Sequence, residues 1–238
     1  MAESVSDNLA MLMRVVERLA PLLDRMVFLG GAVTELFVTL PGVQPPRQTK
    51  DVDIVINVVN LGEYSETLRE QLVILGLQED VREGAPVCRW LLDDIIVDIM
   101  PTRGHILGFS SEWYPLAYET ATPITLPNGR VIRLVTPACF LATKLAAFAD
   151  RGRKNPISSH DLEDVVAVID GRVEIIDEVS TARDDLHAAI ATQLRAILAR
   201  PDAEDLIAAQ LPPDPKSQDR LQLVIGRIRR LIAAAVTD

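Results

Sequence analysis

Thr49-Lys50-Asp51-Val52-Asp53-Ile54-Val55-Ile56 is the stretch around which the rest of the chain organises. Its β-branched run, Asp51 to Val58, predicts a central strand. Side chains alternate along a strand, so Asp51 and Asp53 share one face while Val52, Ile54 and Ile56 take the other. Two carboxylates on one face of an apolar strand repel each other, and burying them without a cation is costly. Magnesium takes hard oxygen ligands, commonly one or two carboxylates together with substrate phosphates. A solvated pair of aspartates at the start of a strand fits this segment equally well.

Upstream, apolar positions between Leu9 and Leu23 recur at helical spacing and predict an amphipathic helix over residues 8 to 24. Met26-Val27-Phe28-Leu29 reads as a short buried strand stopped by Gly30-Gly31, and Ala32 to Leu40 as a helix ended by Pro41-Gly42. Glycines between strand and helix let a backbone approach a ligand, and the free amides of the next helix can hold phosphate oxygens. A tight turn with no ligand explains the same pair.

Downstream, Leu61 to Leu75 reads as helix, and Leu77 to Met100 as two or three strands around the turn Glu83-Gly84-Ala85-Pro86. The last of these carries Asp98 inside Ile95-Ile96-Val97-Asp98-Ile99-Met100, an unfavourable place for an uncompensated carboxylate. A third carboxylate on a neighbouring strand would complete a two-metal site. Asp93 and Asp94 read as turn residues. Pro127-Asn128-Gly129 between two β-rich pairs signals a hairpin, and Thr136-Pro137 a helix start.

From Cys139 onward, Ala and Leu at helical spacing dominate, with breaks at residues 152–159, at Asp170-Gly171, at Pro201 and at Pro212 to Pro215. The expected organisation is an α/β domain over residues 1–135 and a helical domain over 136–238. Lys144 and Arg151 are seven residues apart, near one helix face; Asp161 and Asp164 begin the next helix behind Ser159. Capping and surface charge account for these residues as well as phosphate contact does.

The formal net charge of the 238 residues is −10, a poor basis for non-specific nucleic-acid binding. Apolar runs fall far short of the roughly 20 residues a membrane span needs, and no leader pattern is evident, so no membrane partner is expected. Cys88 and Cys139 lack metal spacing and read as reduced core thiols, in keeping with the cytoplasm. His105, His160 and His187 read as surface or capping residues, Trp90 and Trp113 as packing residues.

Taken together, Phe28-Leu29-Gly30-Gly31, Thr49-Lys50-Asp51-Val52-Asp53, the lone Asp98, and Ala142-Thr143-Lys144 through Arg151 to Asp161-Leu162-Glu163-Asp164 resemble the nucleotidyltransferase superfamily of the polymerase-beta type. Within it they look most like the AbiEii and MenT group, toxin components of bacterial toxin–antitoxin pairs. The resemblance spans roughly residues 25 to 170, with His160-Asp161 standing where members often have Lys-Asp. It implies an α+β fold, a mixed-sheet nucleotidyltransferase core followed by a C-terminal helical bundle. It also implies an enzyme moving a nucleoside monophosphate from an NTP to an acceptor hydroxyl. Asp51, Asp53 and Asp98 would hold two Mg²⁺ ions, with Mn²⁺ as an alternative. Gly30 and Gly31 would grip the nucleotide, with Lys144 and Arg151 adding charge. The acceptor it implies is tRNA, and the partner a cognate antitoxin. Antibiotic- or protein-modifying nucleotidyl transfer, or a non-catalytic nucleotide-binding module, are the competing expectations.

Overall fold

A computed structural model describes residues 5–43, 46–108 and 111–234. The chain divides into two compact units, one of residues 1–33 and 48–136, the other of residues 34–47 and 137–238. The chain crosses from one unit to the other after Val33, after Arg47 and after Thr136. Residues 34–47, however, belong with the helical unit, which a single cut does not anticipate.

The first unit opens with α1 (Asp7–Arg18), capped by the Ser6 hydroxyl, which accepts from the Leu9 amide. Then come β1 (Met26–Leu29) and β2 (Asp51–Ile56). The helix expected over residues 61–75 is present as one continuous helical stretch, with a π-helical segment at Glu63–Leu68 running into α2 (Arg69–Ile74). The widened turn carries buried Tyr64, whose hydroxyl donates to the Ile99 carbonyl at 2.7 Å. β3 (Gln78–Glu79), β4 (Arg89–Leu92), β5 (Ile95–Pro101), α3 (Tyr114–Thr120), β6 (Thr122–Thr125) and β7 (Val131–Leu134) complete it.

The strands form one mixed seven-stranded sheet in the order β3-β4-β5-β2-β1-β7-β6. β2 is central, antiparallel to β1 and parallel to β5. The predicted hairpin around Asn128-Gly129 is β6–β7, with Gly129 at φ 81°. Asp93 and Asp94 form the two-residue β4–β5 turn, where Asp93 takes φ 54° and Arg14 pairs with both carboxylates. Trp90 and Trp113 are buried packing residues.

The helix expected over residues 32–40 is a 3₁₀ helix, Gly31–Phe37. Gly31 through Thr34 are all buried, so this turn has no solvent face of the kind an amphipathic α-helix keeps. The chain then leaves the helical path, and the Thr39 and Leu40 amides both donate to the Gly171 carbonyl, at 2.9 and 2.8 Å.

The second unit contains α4 (Pro137–Arg151), α5 (His160–Gly171), α6 (Ile175–Ser180), α7 (Asp184–Leu198), α8 (Ala203–Ala208), α9 (Pro215–Gln218) and α10 (Leu221–Ala233). α4 packs on α5, α6 and α7, and α10 packs across α5 to α8. Phe140 of α4 is fully buried against Phe37, ring centroids 4.8 Å apart. Together with the Gly171 bonds, this contact explains why residues 34–47 belong to the helical unit. His187, expected as a surface or capping residue, is buried on α7 with a ring nitrogen 3.2 Å from the Leu231 carbonyl. Cys88 and Cys139 are both buried and unbridged. Among the described residues, no helix is long and apolar enough to cross a membrane.

Phe140→Ala removes the ring that fixes the 34–47 segment to α4. Urea unfolding followed by circular dichroism is expected to show a loss of about 3–5 kcal/mol, the usual cost of emptying a buried aromatic site. A loss under 1 kcal/mol would mean that Phe37 and its neighbours collapse into the space.

Candidate functional site

The pairing register decides what the aspartates of the first unit can do together. Asp53 is the direct partner of Leu29 on the β1 side and of Asp98 on the β5 side. Paired residues on neighbouring strands project to the same face, so Asp53 and Asp98 stand side by side, with backbones about 4.8 Å apart. Asp51 lies one pleat repeat along the same face, about 7 Å away. Val52 and Ile54, pointing the other way, are fully buried, whereas Asp51 and Asp53 keep partial access to solvent. Asp98 is the most enclosed of the three, at 8% exposed.

Gly30 is fitted to Asp53. It sits at φ 77°, a left-handed conformation that disfavours side chains, at the point where the chain leaves β1. A Cβ there would lie 1.8 Å from Asp53 Oδ2. The carboxylate therefore occupies the space that any other residue's side chain would fill. At the far end of the face, the Thr49 hydroxyl donates to Asp51. Buried Asn8 of α1 accepts from the Thr49 amide at 2.9 Å, which pins the start of β2. Gly31 begins the 3₁₀ helix; this is a shorter run of amides than the α-helix start expected after the glycine pair.

Arg89 went unremarked in the sequence. It is the antiparallel partner of Asp98, and its Nε and terminal nitrogen donate to the two Asp98 oxygens at 2.9 and 2.8 Å. This bidentate pair, the strong form of carboxylate recognition, holds the Arg89 guanidinium above even its ordinary high pKa. The one available signal was a lone cation in the apolar stretch Arg89-Trp90-Leu91-Leu92, one hairpin away from a lone anion. Burial, first, and then the negative charge of Asp98 push the Cys88 thiol up to about 12, so it stays protonated.

As a fit for a divalent ion, Asp51 and Asp53 are the right chemistry: two hard carboxylates on one face beside a glycine turn. Asp98 shares that face, but both of its oxygens are engaged by Arg89. Among the described residues, no three His, Cys, Asp or Glu side chains are disposed to share one ion.

Lys144 and Arg151 lie in the second unit, on α4, and each is held by α5. Lys144 is buried, its Nζ 2.6 Å from Asp164 Oδ2 and 3.4 Å from Asp161 Oδ1. Arg151 grips both Asp161 oxygens, at 2.8 and 3.0 Å. Arg47 adds a contact to Asp164 at 3.4 Å and to Glu163 at 3.6 Å. Ser159 caps α5, as expected, but Asp161 and Asp164 are more than first-turn surface charges, at 5% and 1% exposed. Burial acts to raise the Asp161 carboxyl; the Arg151 hydrogen bonds and the Lys144 and Arg151 charges outweigh it and hold the group below the usual carboxylate range. A cleft of about 480 Å³ in the same unit, lined in part by Arg47, Asp164, Asp170, Lys216 and Arg220, has no counterpart in the sequence reading.

No protein-family model matches this chain, and no curated protein matches it either. Among solved structures, that of the antibiotic-resistance factor ANT(2'')-Ia is similar, with a TM-score of 0.45 and 11% identity over 80% of this chain and 92% of that one.

Two substitutions test these local arrangements. Gly30→Ala is expected to cost about 1–2 kcal/mol from its left-handed backbone alone, and more once the Asp53 carboxylate is displaced. Lys144→Met leaves Asp164 buried beside a weakened counter-charge and is expected to cost about 3–5 kcal/mol at neutral pH. The pH dependence has a definite sign. The Asp161 carboxyl is depressed in the folded state, so its contribution is present above an unfolded pKa of about 3.9 and is lost as pH falls through the lower folded value. Denaturant midpoints of the parent chain and Arg151→Gln should therefore converge in acid. A gap between them that persists in acid would show that Asp161 is not the linked group.

Proposed function

We propose that this chain is a nucleotidyltransferase that moves a nucleoside monophosphate from an NTP to an acceptor hydroxyl. The supporting observation is the fit of the Asp53 carboxylate to the Gly30 turn, with Asp51 and Asp98 on the same face. In this reading the acceptor oxygen attacks the α-phosphorus, the bond to the bridging oxygen breaks, and pyrophosphate leaves. Asp51 and Asp53 would hold magnesium, with manganese as a substitute, and the metal would supply charge neutralisation on the phosphates. Gly30 and Gly31 allow the backbone to lie close against the phosphate chain. Thr49 orients Asp51 through its hydroxyl. Asp98 stands beside Asp53 in the register to receive the acceptor proton. Lys144 and Arg151, which the resemblance implies as phosphate contacts, are held within the helical unit by Asp161 and Asp164.

The acceptor in this reading is tRNA, modified at its 3′ end, and the chain is the toxin of a toxin–antitoxin pair with a cognate antitoxin as partner. Support for this finer reading comes from the motif sequence Lys144 through Arg151 to Asp161 and Asp164, which resembles the AbiEii and MenT group. The reaction is cytoplasmic on this account.

Each of the four α-³²P-labelled NTPs is to be incubated with the chain, Mg²⁺ or Mn²⁺, and separately with tRNA, an aminoglycoside or a cell lysate. Label is expected on tRNA, and Asp51→Asn is expected to lower transfer by at least ~100-fold, since it removes a metal-holding carboxylate. Label on the aminoglycoside or on protein would replace the tRNA reading while keeping the chemistry. No transfer to any acceptor, with any nucleotide and either metal, would end the enzymatic reading.

A further inference from the structure

We propose that Arg89 is a positioning residue, whose guanidinium fixes the Asp98 carboxylate at the angle from which it takes the acceptor proton. This rests on the nucleotidyltransferase reading, in which the hydroxyl proton passes to Asp98 as the acceptor oxygen bonds to the α-phosphorus and pyrophosphate leaves.

The second side-chain torsion of an aspartate is broad, so β5 alone does not set the plane of the Asp98 carboxylate. Arg89 sets it. The two residues are direct partners across the antiparallel β4–β5 ladder. Arg89 donates from Nε to one Asp98 oxygen at 2.9 Å and from a terminal nitrogen to the other at 2.8 Å. Two contacts between two rigid planes fix an orientation, whereas an ammonium in the same place would supply only a point charge. The side chains of Arg89 and Asp98 are 25% and 11% exposed, so water competes little for these bonds.

Arg89 is itself held by backbone bonds. Its amide donates to the Pro86 carbonyl at 3.0 Å, and its carbonyl accepts from the Asp80 amide at 3.1 Å. The adjoining Cys88 carbonyl accepts from the Ile99 amide at 2.9 Å, next to Asp98. The turn at Asp93 and Asp94 fixes the register, and a slip of one residue would carry Arg89 to the face opposite Asp98.

The pairing does not use up the carboxylate. An ionised carboxylate has about four lone-pair sites, and the fork takes one on each oxygen, leaving one on each for a hydroxyl hydrogen. A proton acceptor has to lie within hydrogen-bond reach, and a displacement of about 1 Å costs on the order of 100-fold in rate. The requirement on Asp98 is therefore one of orientation, which arginine meets and lysine does not.

Transfer by the full chain, with the acceptor that takes label, tests this through kcat and KM for the NTP in the parent, Arg89→Gln and Arg89→Lys. Circular dichroism supplies the folded fraction by which each rate is corrected, and Arg89→Lys carries the comparison if Arg89→Gln does not fold. Arg89→Gln is expected to lower kcat about 100-fold and Arg89→Lys at least ~10-fold, with KM for the NTP within about 3-fold of the parent. An unchanged kcat in the folded variants would overturn the proposal, and so would full activity in Arg89→Lys, since Asp98 would then need only a charge. A raised KM with kcat intact would overturn it as well, making Arg89 a substrate contact. A second measurement does not depend on catalysis: the Arg89 Nε–H proton, followed in ¹⁵N–¹H spectra, is expected to exchange with water at least ~10-fold more slowly in the parent than in Asp98→Asn. Equal exchange rates would overturn the proposal, because the fork would not be held in solution. No transfer by the parent chain would end the nucleotidyltransferase reading and this role with it, whereas transfer by the parent with Arg89→Gln equally active would retire the role alone.

Discussion

Like charges on one pleated face must be reconciled before a sheet of this kind can form, and in the first unit that constraint lies between Asp53 and Asp98. Their strands are parallel and in register, so the carboxylates cannot turn to opposite faces without breaking the sheet. At about 5 Å and an effective dielectric near 20, two such charges repel by about 3 kcal/mol. Arg89 on one flank neutralises Asp98, and Gly30 on the other yields the space that Asp53 occupies. A glycine before the 3₁₀ helix, an arginine in β4 and one aspartate each in β2 and β5 thus belong to one solution.

The parts that were legible in the sequence are those controlled locally. Alternation in β2 placed Asp51 and Asp53 together, Pro127-Asn128-Gly129 located the β6–β7 turn, and Thr136-Pro137 located the start of α4. What escaped was set by register and by distant partners. Arg89 meets Asp98 only because a two-residue turn at Asp93 and Asp94 fixes β4 against β5. Asp161 and Asp164 satisfied a capping pattern so well that nothing local indicated their burial, which follows from Lys144 and Arg151 on the preceding helix. His187 is likewise buried by α10, an element far along the chain.

The helical unit handles its internal charges by a different rule. Lys144, Arg151 and Arg47 face Asp161, Asp164 and Glu163, and Arg220 faces Asp170, whose neighbouring carbonyls at the end of α5 take hydrogen bonds from Arg220 and Arg227. Buried pairs of this sort add little net stability, because desolvation offsets attraction. Their effect is on register: sliding α5 against α4 by one turn would strand several charges at once. The apolar ridge of Phe140, Leu141, Leu145 and Phe148 fills space, while the charges select which alignment is filled.

Because residues 34–47 leave the sheet unit, dock on α4 and α5, and return at Gln48, the polypeptide passes between its two units three times instead of once. The sheet unit is therefore discontinuous in the gene. A stop codon after Thr136 would not yield an autonomous fragment; it would strand the excursion without Gly171 and Phe140, leaving Phe37 and the amides of Thr39 and Leu40 stripped of their mates. Insertions, circular permutations and domain exchanges in this molecule have to respect that looped connectivity.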